Sequence, residues 1–280
     1  MFGSTSSSLG SALGQLIDLP AFAVQGEEEG GGLVFPTIEQ LIEWPNYFGL
    51  EGPFALNKIG MMSLLAMILP AMLFYFSKKE TVPRGMQNVA ESTVEFVEDQ
   101  IILPAIGPEG LRYTPLLLSI FLFVFVGNFF EVVPTFHMPA NARMANPLIL
   151  AVIALCTYVF IGFKYHGFSY LKEIVWPGFV PVGMRPLVGF IEFLTVFIIR
   201  PFALAVRLFA NMLAGHILLV TFGVLCITLL QWSPLVAVLP FSFIMLVLLT
   251  AFEMFVAFLQ AFVFALLTAV FIDSSLHPAH

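Results

Sequence analysis

Four polar side chains lie inside a stretch of the chain that is otherwise apolar for dozens of residues: Arg200, Arg207, Asn211 and His216. A charge at membrane depth costs from ~2.5 to more than ~10 kcal/mol, depending on the reference state. Membrane proteins that keep such groups commonly use them to move ions or protons. This stretch is therefore the strongest candidate in the sequence for a site of ion or proton movement.

The residue types divide this chemistry between a fixed charge and a relay. An arginine side chain does not lose its proton in a protein, so Arg207 can hold a positive charge but cannot pass a proton on. Histidine and glutamate do titrate, and their pKa values respond to burial and to neighbouring charges. We therefore interpret Arg207 as a fixed charge that pairs with a passing carboxyl group or expels its proton, and His216 with Glu253 as a proton relay.

The expected depths of these residues in the membrane place them in two groups. Two long apolar runs flank a turn and are expected to form an antiparallel hairpin, so residues equidistant from the turn lie at similar depth. Arg207 and Gln260 match within about two residues, ~3 Å of helix rise, and His216 and Glu253 within about four, ~6 Å. The sequence therefore predicts an outer rung of His216 and Glu253 and a deeper rung of Arg207, Asn211 and Gln260.

Further polar residues lie near the ends of this arrangement. Glu131 is near the outer end of an earlier apolar run with Asn128 about one helical turn below it, and Glu192 is on the inner part of the first long run. We expect Glu131 to extend the relay outward and Glu192 to serve the opposite exit. Structural roles are the alternative for each of these residues, with Asn128 and Gln260 as helix–helix contacts. Arg200 is expected to be a cation that extends toward lipid or a partner.

Composition places the chain in the membrane. Of 280 residues 59% are hydrophobic and only 10% are charged, and the mean hydropathy is +0.97. A soluble domain carries about 25% charged residues. The net charge of -7 does not indicate nucleic acid binding, and the two cysteines lack any zinc or redox spacing. The sequence therefore predicts a polytopic membrane protein with no metal site.

The first 57 residues differ from the rest. They contain no lysine or arginine, seven acidic residues, and many glycines and serines. They lack the basic start and apolar core of a secretory signal and the arginines of a mitochondrial leader. We interpret residues 1–57 as a partly flexible external tail and residues 58–280 as the membrane domain.

Hydropathy predicts an all-α integral membrane protein with about five membrane-crossing elements. The expected spans are residues 59–76, 116–133, 147–163, 187–230 and 235–272. Residues 84–103 are amphipathic and are expected to form an interfacial helix. Its apolar face is assigned to residues at helical spacing, namely Met86, Val89, Ala90, Thr93, Val97 and Ile101.

The last two runs are too long for simple spans. At 1.5 Å per residue they extend roughly 66 and 57 Å, against a hydrocarbon core of ~30 Å. Each either contains two spans or forms one long tilted helix, and we favour the tilted hairpin, with kinks at Pro201 and Pro240. With the N-terminus outside and five crossings, seven lysines and arginines lie inside and two outside, which predicts a cytoplasmic C-terminus.

Two motifs carry a resemblance to a known family. The run Arg207-Leu208-Phe209-Ala210-Asn211-Met212-x-Ala214-Gly215-His216 resembles the signature of the a subunit of F-type ATP synthase, the stator of its membrane motor. The later run from Glu253 through Leu259-Gln260-Ala261-Phe262-Val263-Phe264 resembles the last helix of that family. Similarity extends from about residue 82 to the C-terminus and is specific, because both motifs occur with the expected separation.

The resemblance implies a role for each site residue. Arg207 matches the essential arginine that faces the rotating ring of c subunits, with Asn211 and Gln260 as its polar neighbours. His216 and Glu253 match the pair in the outer half-channel, and Glu131 matches an acidic position at its entry. Glu192 is close to an exit-channel acid, but its spacing to the position matched by Arg200 is one residue longer than in some relatives.

The resemblance also implies a mechanism and partners. A proton enters through Glu131, His216 and Glu253 and protonates a ring carboxylate, which later releases it near Glu192, while Arg207 separates the two half-channels. The implied partners are the ring of c subunits, peripheral stalk b subunits, other ATP synthase subunits and the lipid bilayer. The chain itself is non-catalytic, and it is expected to bind no nucleotide and no cofactor, since it lacks a phosphate-binding glycine-rich loop.

Other classes of protein remain as alternatives at this point. A stand-alone proton or cation transporter would commonly show internal repeats, and none is visible in the sequence. A structural subunit of a respiratory complex would not explain Arg207 and Glu253 within one hairpin. The lack of an arginine-rich leader favours a bacterial cell membrane over a mitochondrial inner membrane.

Overall fold

The computed structural model describes residues 58–77, 85–133, 144–176, 181, 183–230 and 238–277. The predicted external tail, the start of the interfacial helix at residue 84 and the turn between the two long helices lie outside these ranges. Regular structure in the described residues is helical throughout, with no strand. The predicted all-α class is confirmed.

Eight α-helices longer than one turn occur in the described part of the chain. They are α1 (Lys58–Phe76), α2 (Met86–Val97), α3 (Thr114–Val132), α4 (Ala145–His166), α5 (Phe168–Val175), α6 (Arg185–Leu194), α7 (Arg200–Leu230) and α8 (Leu239–Leu276). Two π-helical segments extend them: Glu98–Ile102 continues α2, and Thr195–Ile199 joins α6 to α7. A 3-10 helix, Pro108–Tyr113, leads into α3.

Four helical stretches among the described residues are long and apolar enough to cross a membrane. They are Pro108–Val132, Ala145–His166, Arg185–Leu229 and Leu239–Leu276, and a shorter apolar helix covers Gly60–Phe76. These five elements correspond to the five predicted crossings. The last two, of 45 and 38 residues, are each continuous, as expected for one long helix rather than two short spans.

Several local predictions need correction. Pro240 is the second residue of α8, in the first turn, where a missing N–H breaks no helical hydrogen bond, so it begins the helix rather than kinking it. The stretch between the predicted spans 147–163 and 187–230 contains a helix, α5, that hydropathy did not predict. The interfacial helix buries Gln87 with Ala90 and Val97, whereas Met86 and Val89 are exposed.

The described residues divide into two compact units. Residues 58–63, 127–133, 211–230 and 238–257 form one, called here the carboxyl unit because it contains the buried glutamates. Residues 64–77, 85–126, the described part of 144–210, and 258–277 form the other, called the apolar-core unit. Both long helices contribute residues to each unit.

The apolar-core unit has a continuous hydrophobic core. Buried side chains from α3, α4, α7 and α8 pack with those of the first π-helical segment. Phe96, Phe121, Phe125 and Phe258 form a group of rings with centroids 5.7–6.1 Å apart. Aromatic pairs at such separations add to the free energy gained from burial of apolar area.

Close backbone packing holds α5 in this unit. A Cβ atom at Gly189 of α6 would lie 1.9 Å from the carbonyl oxygen of Val175, and a Cβ atom at Gly162 of α4 would lie 2.6 Å from the ring of Tyr170. The Tyr170 hydroxyl is 3.0 Å from Oγ of Ser275 near the end of α8. Glycine at these two positions therefore lets α5 pack closely against α4 and α6.

Candidate functional site

The carboxyl unit buries an acid against a histidine. Glu131, near the end of α3, has a fully buried side chain, and its Oε1 lies 3.9 Å from Nδ1 of His216 on α7. This distance permits an ion pair when the imidazole is protonated. Asn128, one turn earlier on α3, is completely buried. The structure therefore joins the predicted outer acid to the predicted relay histidine.

A second acid reaches the same segment of α7. Glu253 of α8 is buried, and its carboxyl group lies against the backbone of Gly215, the neighbour of His216. A Cβ atom at position 215 would lie 2.3 Å from Oε1 and 2.6 Å from Oε2 of this group. A Cβ atom here would force the flexible Glu253 side chain to shift, so Gly215 allows the carboxyl group to lie against α7.

The two carboxyl groups are close enough to interact electrostatically. Among the described residues, neither carboxyl oxygen of Glu131 has a hydrogen-bond partner, and Oε1 of Glu253 also has none. An ionised carboxylate is costly to bury unless it is paired. A buried set of two carboxyl groups and one imidazole therefore suits the sharing and transfer of protons.

Each residue of the predicted deeper rung has its own surroundings. Arg207 of α7 is exposed in the apolar-core unit, and within the described structure its guanidinium makes no hydrogen bond or ion pair. Gln260 of α8 is buried in that unit. Asn211 belongs to the carboxyl unit, where it is half-buried and its side-chain nitrogen lacks a hydrogen bond to any described residue. The grouping of these three residues stays a prediction.

Arg200, expected to extend toward lipid or a partner, contacts two side chains of α8. It is half-buried, its guanidinium lies 5.0 Å from the ring centroid of Phe271, and its Nη1 is 3.5 Å from Oγ of Ser274. An aromatic face and a hydroxyl on α8 hold the cation within the protein, because both interact favourably with its charge. Glu192 of α6, the predicted exit acid, is half-buried in the same unit.

Sequence reasoning did not assign a role to three residues that this structure places in polar contacts. Tyr158 is fully buried and donates a hydrogen bond to the carbonyl oxygen of Val196 at 2.5 Å. Tyr170 and Ser275 form the hydroxyl pair described above. A tyrosine within an apolar span is a usable signal, because its buried hydroxyl needs a partner.

The described residues contain no group of three or more His, Cys, Asp or Glu side chains arranged to hold a metal ion. The buried groups of the carboxyl unit, Glu131, His216 and Glu253, are all side chains that can bind and release a proton.

Comparison with known proteins identifies a matching family and several relatives that share one name. The family model described as ATP synthase A chain matches residues 59–273. A protein of Frankia alni named ATP synthase subunit a is 40% identical over 257 residues, which covers 89% of this chain and 88% of that protein.

Two further proteins have the same name. That of Rhodococcus erythropolis is 42% identical over 235 residues, covering 81% of this chain and 84% of its own length. That of Azorhizobium caulinodans is 38% identical over 249 residues, covering 87% and 96%. These matches confirm the resemblance carried by the two motifs, and the chain belongs to the ATP synthase A chain family.

Proposed function

We propose that this chain conducts protons through two offset half-channels and thereby couples a proton gradient to rotation of a ring of c subunits. Membership of the family implies a multisubunit ATP synthase, in which this multi-pass membrane chain is a non-catalytic part. The observation that carries the proposal is the buried set of Glu131, His216 and Glu253.

The outer half-channel uses this buried set. Protons enter at Glu131, with Asn128 beside it, pass to His216 and Glu253, and leave for a carboxyl group of the ring. The 3.9 Å separation of Glu131 and His216 supports transfer through a small movement or one bridging water. The Glu253 carboxyl group lies against Gly215, which places the second acid at the same segment of α7.

Arg207 acts as the fixed charge between the half-channels. Its exposed side chain, without a partner among the described residues, is available to a carboxylate of another subunit. Asn211 and Gln260 are proposed as its polar neighbours. Glu192 is proposed to receive protons at the inner exit. A permanent cation near the ring carboxylate favours its ionised form and so drives release of its proton.

The proposal extends to topology and partners. The N-terminal tail is assigned to the outside and the C-terminus to the cytoplasm of a bacterial cell, on the distribution of lysine and arginine. The c ring and the b subunits of a peripheral stalk are the proposed direct partners. A stand-alone transporter is not favoured, since the chain belongs to the ATP synthase A chain family.

Replacement of Arg207 tests the proposal directly. In inverted vesicles that contain the assembled complex, Arg207→Ala is expected to abolish ATP-driven acidification while passive proton leak is retained or increased. Arg112→Ala is the matched control, because Arg112 is an exposed cation that pairs with Glu109 at 3.6 Å, outside the long helices. Acidification close to wild type in Arg207→Ala would exclude the fixed-charge role.

A further inference from the structure

The second π-helical segment lies between two functional positions of one helix. Thr195–Ile199 separates Glu192 from Arg200. The N–H of Arg200 donates to the carbonyl of Thr195, five residues back, instead of to that of Val196. A π turn holds one residue more than an α turn, and such bulges are frequent at functional sites. This extra residue accounts for the longer spacing between Glu192 and Arg200 noted in the sequence.

Proline explains why the helix widens here. Pro201 has no N–H, and in an α-helix its ring would clash with the carbonyl four residues earlier, in Phe197. The first π-helical segment, Glu98–Ile102, precedes Pro104 at the same distance along the chain. Both segments end two residues before a proline, but Pro70 lies inside α1 without a π turn, so proline favours the widening and does not dictate it alone.

Tyr158 stabilises the widened turn from outside. The carbonyl of Val196 loses its α-helical donor, because the N–H of Arg200 is used by Thr195 and the next residue is proline. The hydroxyl of Tyr158 donates to this carbonyl at 2.5 Å. The tyrosine is fully buried, and its ring packs edge-on against Phe271 with centroids 5.7 Å apart. A buried carbonyl without a partner would be costly, so this hydrogen bond favours the π turn.

The bulge changes which face Glu192 occupies. In an uninterrupted α-helix, eight residues turn through a net angle of about 80°, so Glu192 would be displaced by that angle from Arg200. The extra residue of the π turn removes about 100° of rotation and leaves Glu192 about 20° from Arg200 on the other side. Arg207, seven residues after Arg200, is again only about 20° away. The three side chains thus share one face.

We propose that the π turn and its Tyr158 hydrogen bond form a register device that aligns Glu192 with Arg200 and Arg207 along one face of the helix. Tyr158 is then a positioning residue for the inner exit. This inference rests on the proposed function only in the role that it gives to Glu192. The alignment brings an acid, a half-buried cation and an exposed cation into one row at the inner part of the helix.

Electrostatics at a neighbouring residue agree with this alignment. Burial raises the pKa of the Tyr170 hydroxyl, the hydrogen bond with Ser275 and the charge of Arg200 oppose that rise, and the charge of Glu192 adds to it. Glu192 and Arg200 therefore both lie within electrostatic range of one phenol, as side chains on a shared face would.

The test measures the position of residue 192 separately from transport. Both natural cysteines, Cys156 and Cys226, are replaced by alanine and Glu192→Cys is introduced. Labelling of the introduced thiol by a water-soluble maleimide is then followed in inverted vesicles of the assembled complex. Tyr158→Phe is expected to slow labelling by about threefold or more, since it removes one buried hydrogen bond. Tyr75→Phe, at a highly exposed tyrosine, is the control.

A second background removes the need for the bulge. Deletion of Ile198 together with Pro201→Ala rebuilds an uninterrupted α-helix that keeps the same alignment. In this background Tyr158→Phe is expected to change neither labelling at position 192 nor, with Glu192 retained, ATP-driven acidification. An equal effect of Tyr158→Phe in both backgrounds would mean that it acts on the fold and would overturn the register device.

The two proposals fail in different ways. Labelling that is unaffected by Tyr158→Phe in the natural background overturns the register device, whatever the transport result. If Tyr158→Phe slows labelling as expected, the register device is supported. If Glu192→Gln then pumps protons like the wild type, the exit role of Glu192 is contradicted.

Discussion

The two compact units differ in how deeply they bury their ionisable groups. In the carboxyl unit Glu131, His216 and Glu253 are all buried. In the apolar-core unit the buried side chains are mainly hydrophobic, Arg207 is exposed, and Arg200 and Glu192 are half-buried. Arg207, which keeps its charge, is thus exposed, and the groups proposed to exchange protons in the outer half-channel are buried.

The difference follows from the chemistry of each group. A guanidinium stays charged, so burial without a partner carries a large desolvation penalty, and the exposure of Arg207 avoids it. Carboxyl and imidazole groups can become neutral by passing a proton to one another, so they tolerate burial as a set. Burial also excludes bulk water, which would otherwise connect the relay to any nearby polar surface.

Loss of an acid from the carboxyl unit should have the largest effect on transport. Glu253→Gln keeps the size of the side chain but cannot accept or release a proton, so ATP-driven acidification per assembled complex should fall by about tenfold or more. Glu95→Gln, on the exposed side of α2, is the matched control and should pump normally. Equal pumping by both variants would remove Glu253 from the relay.

A smaller effect is expected from moving this acid without removing it. Gly215→Ala places a Cβ atom where the Glu253 carboxyl group sits, and the flexible side chain must shift. We expect acidification to fall by roughly threefold to tenfold with normal assembly, because proton transfer depends on donor–acceptor distance. Gly223→Ala on the same helix is the control, since a Cβ there meets nothing within 4 Å. If the two variants pumped equally, the position of the Glu253 carboxyl group against Gly215 would not matter for transport.

The smallest effect on transport per complex is expected from a packing position in the apolar-core unit, not from Arg207 or Glu192. Gly189→Ala forces α6 away from the carbonyl of Val175, and such overpacking costs roughly 1–3 kcal/mol. The amount of assembled complex, measured by detergent extraction and native gels, should fall, whereas acidification per complex should stay close to wild type. Gly183→Ala has open space around it and serves as the control. A transport defect per complex without an assembly defect would contradict a purely structural role for Gly189.

Much of the fold was predictable from hydropathy and length. Five apolar runs became five apolar helices, since a segment in lipid must satisfy its backbone hydrogen bonds internally. Boundaries were less accurate: α4 continues to His166, beyond the predicted end at residue 163. The face of α2 was partly wrong, because Gln87 is buried and hydrogen-bonded to Glu91, a pairing that amphipathic spacing does not reveal.

The site residues were visible in the sequence because each is a polar group in an apolar run. Their partners were harder to predict. Depth matching favoured His216 with Glu253, and the structure also places the imidazole 3.9 Å from Glu131 on another helix. Arg200 was expected to extend outward, and its contact with Phe271 depends on where α8 ends relative to α7.

The sequence by itself determined the membrane class, the family, and which groups can titrate, because residue type and hydropathy act over short distances along one chain. It also places a proline two residues after each π turn, which removes a backbone donor there. Only the tertiary structure decided that Glu253 sits on Gly215, that Tyr158 completes the bulge, and that His216 faces Glu131. Those contacts join residues 38 or more positions apart, and their geometry depends on how helices pack rather than on any local pattern.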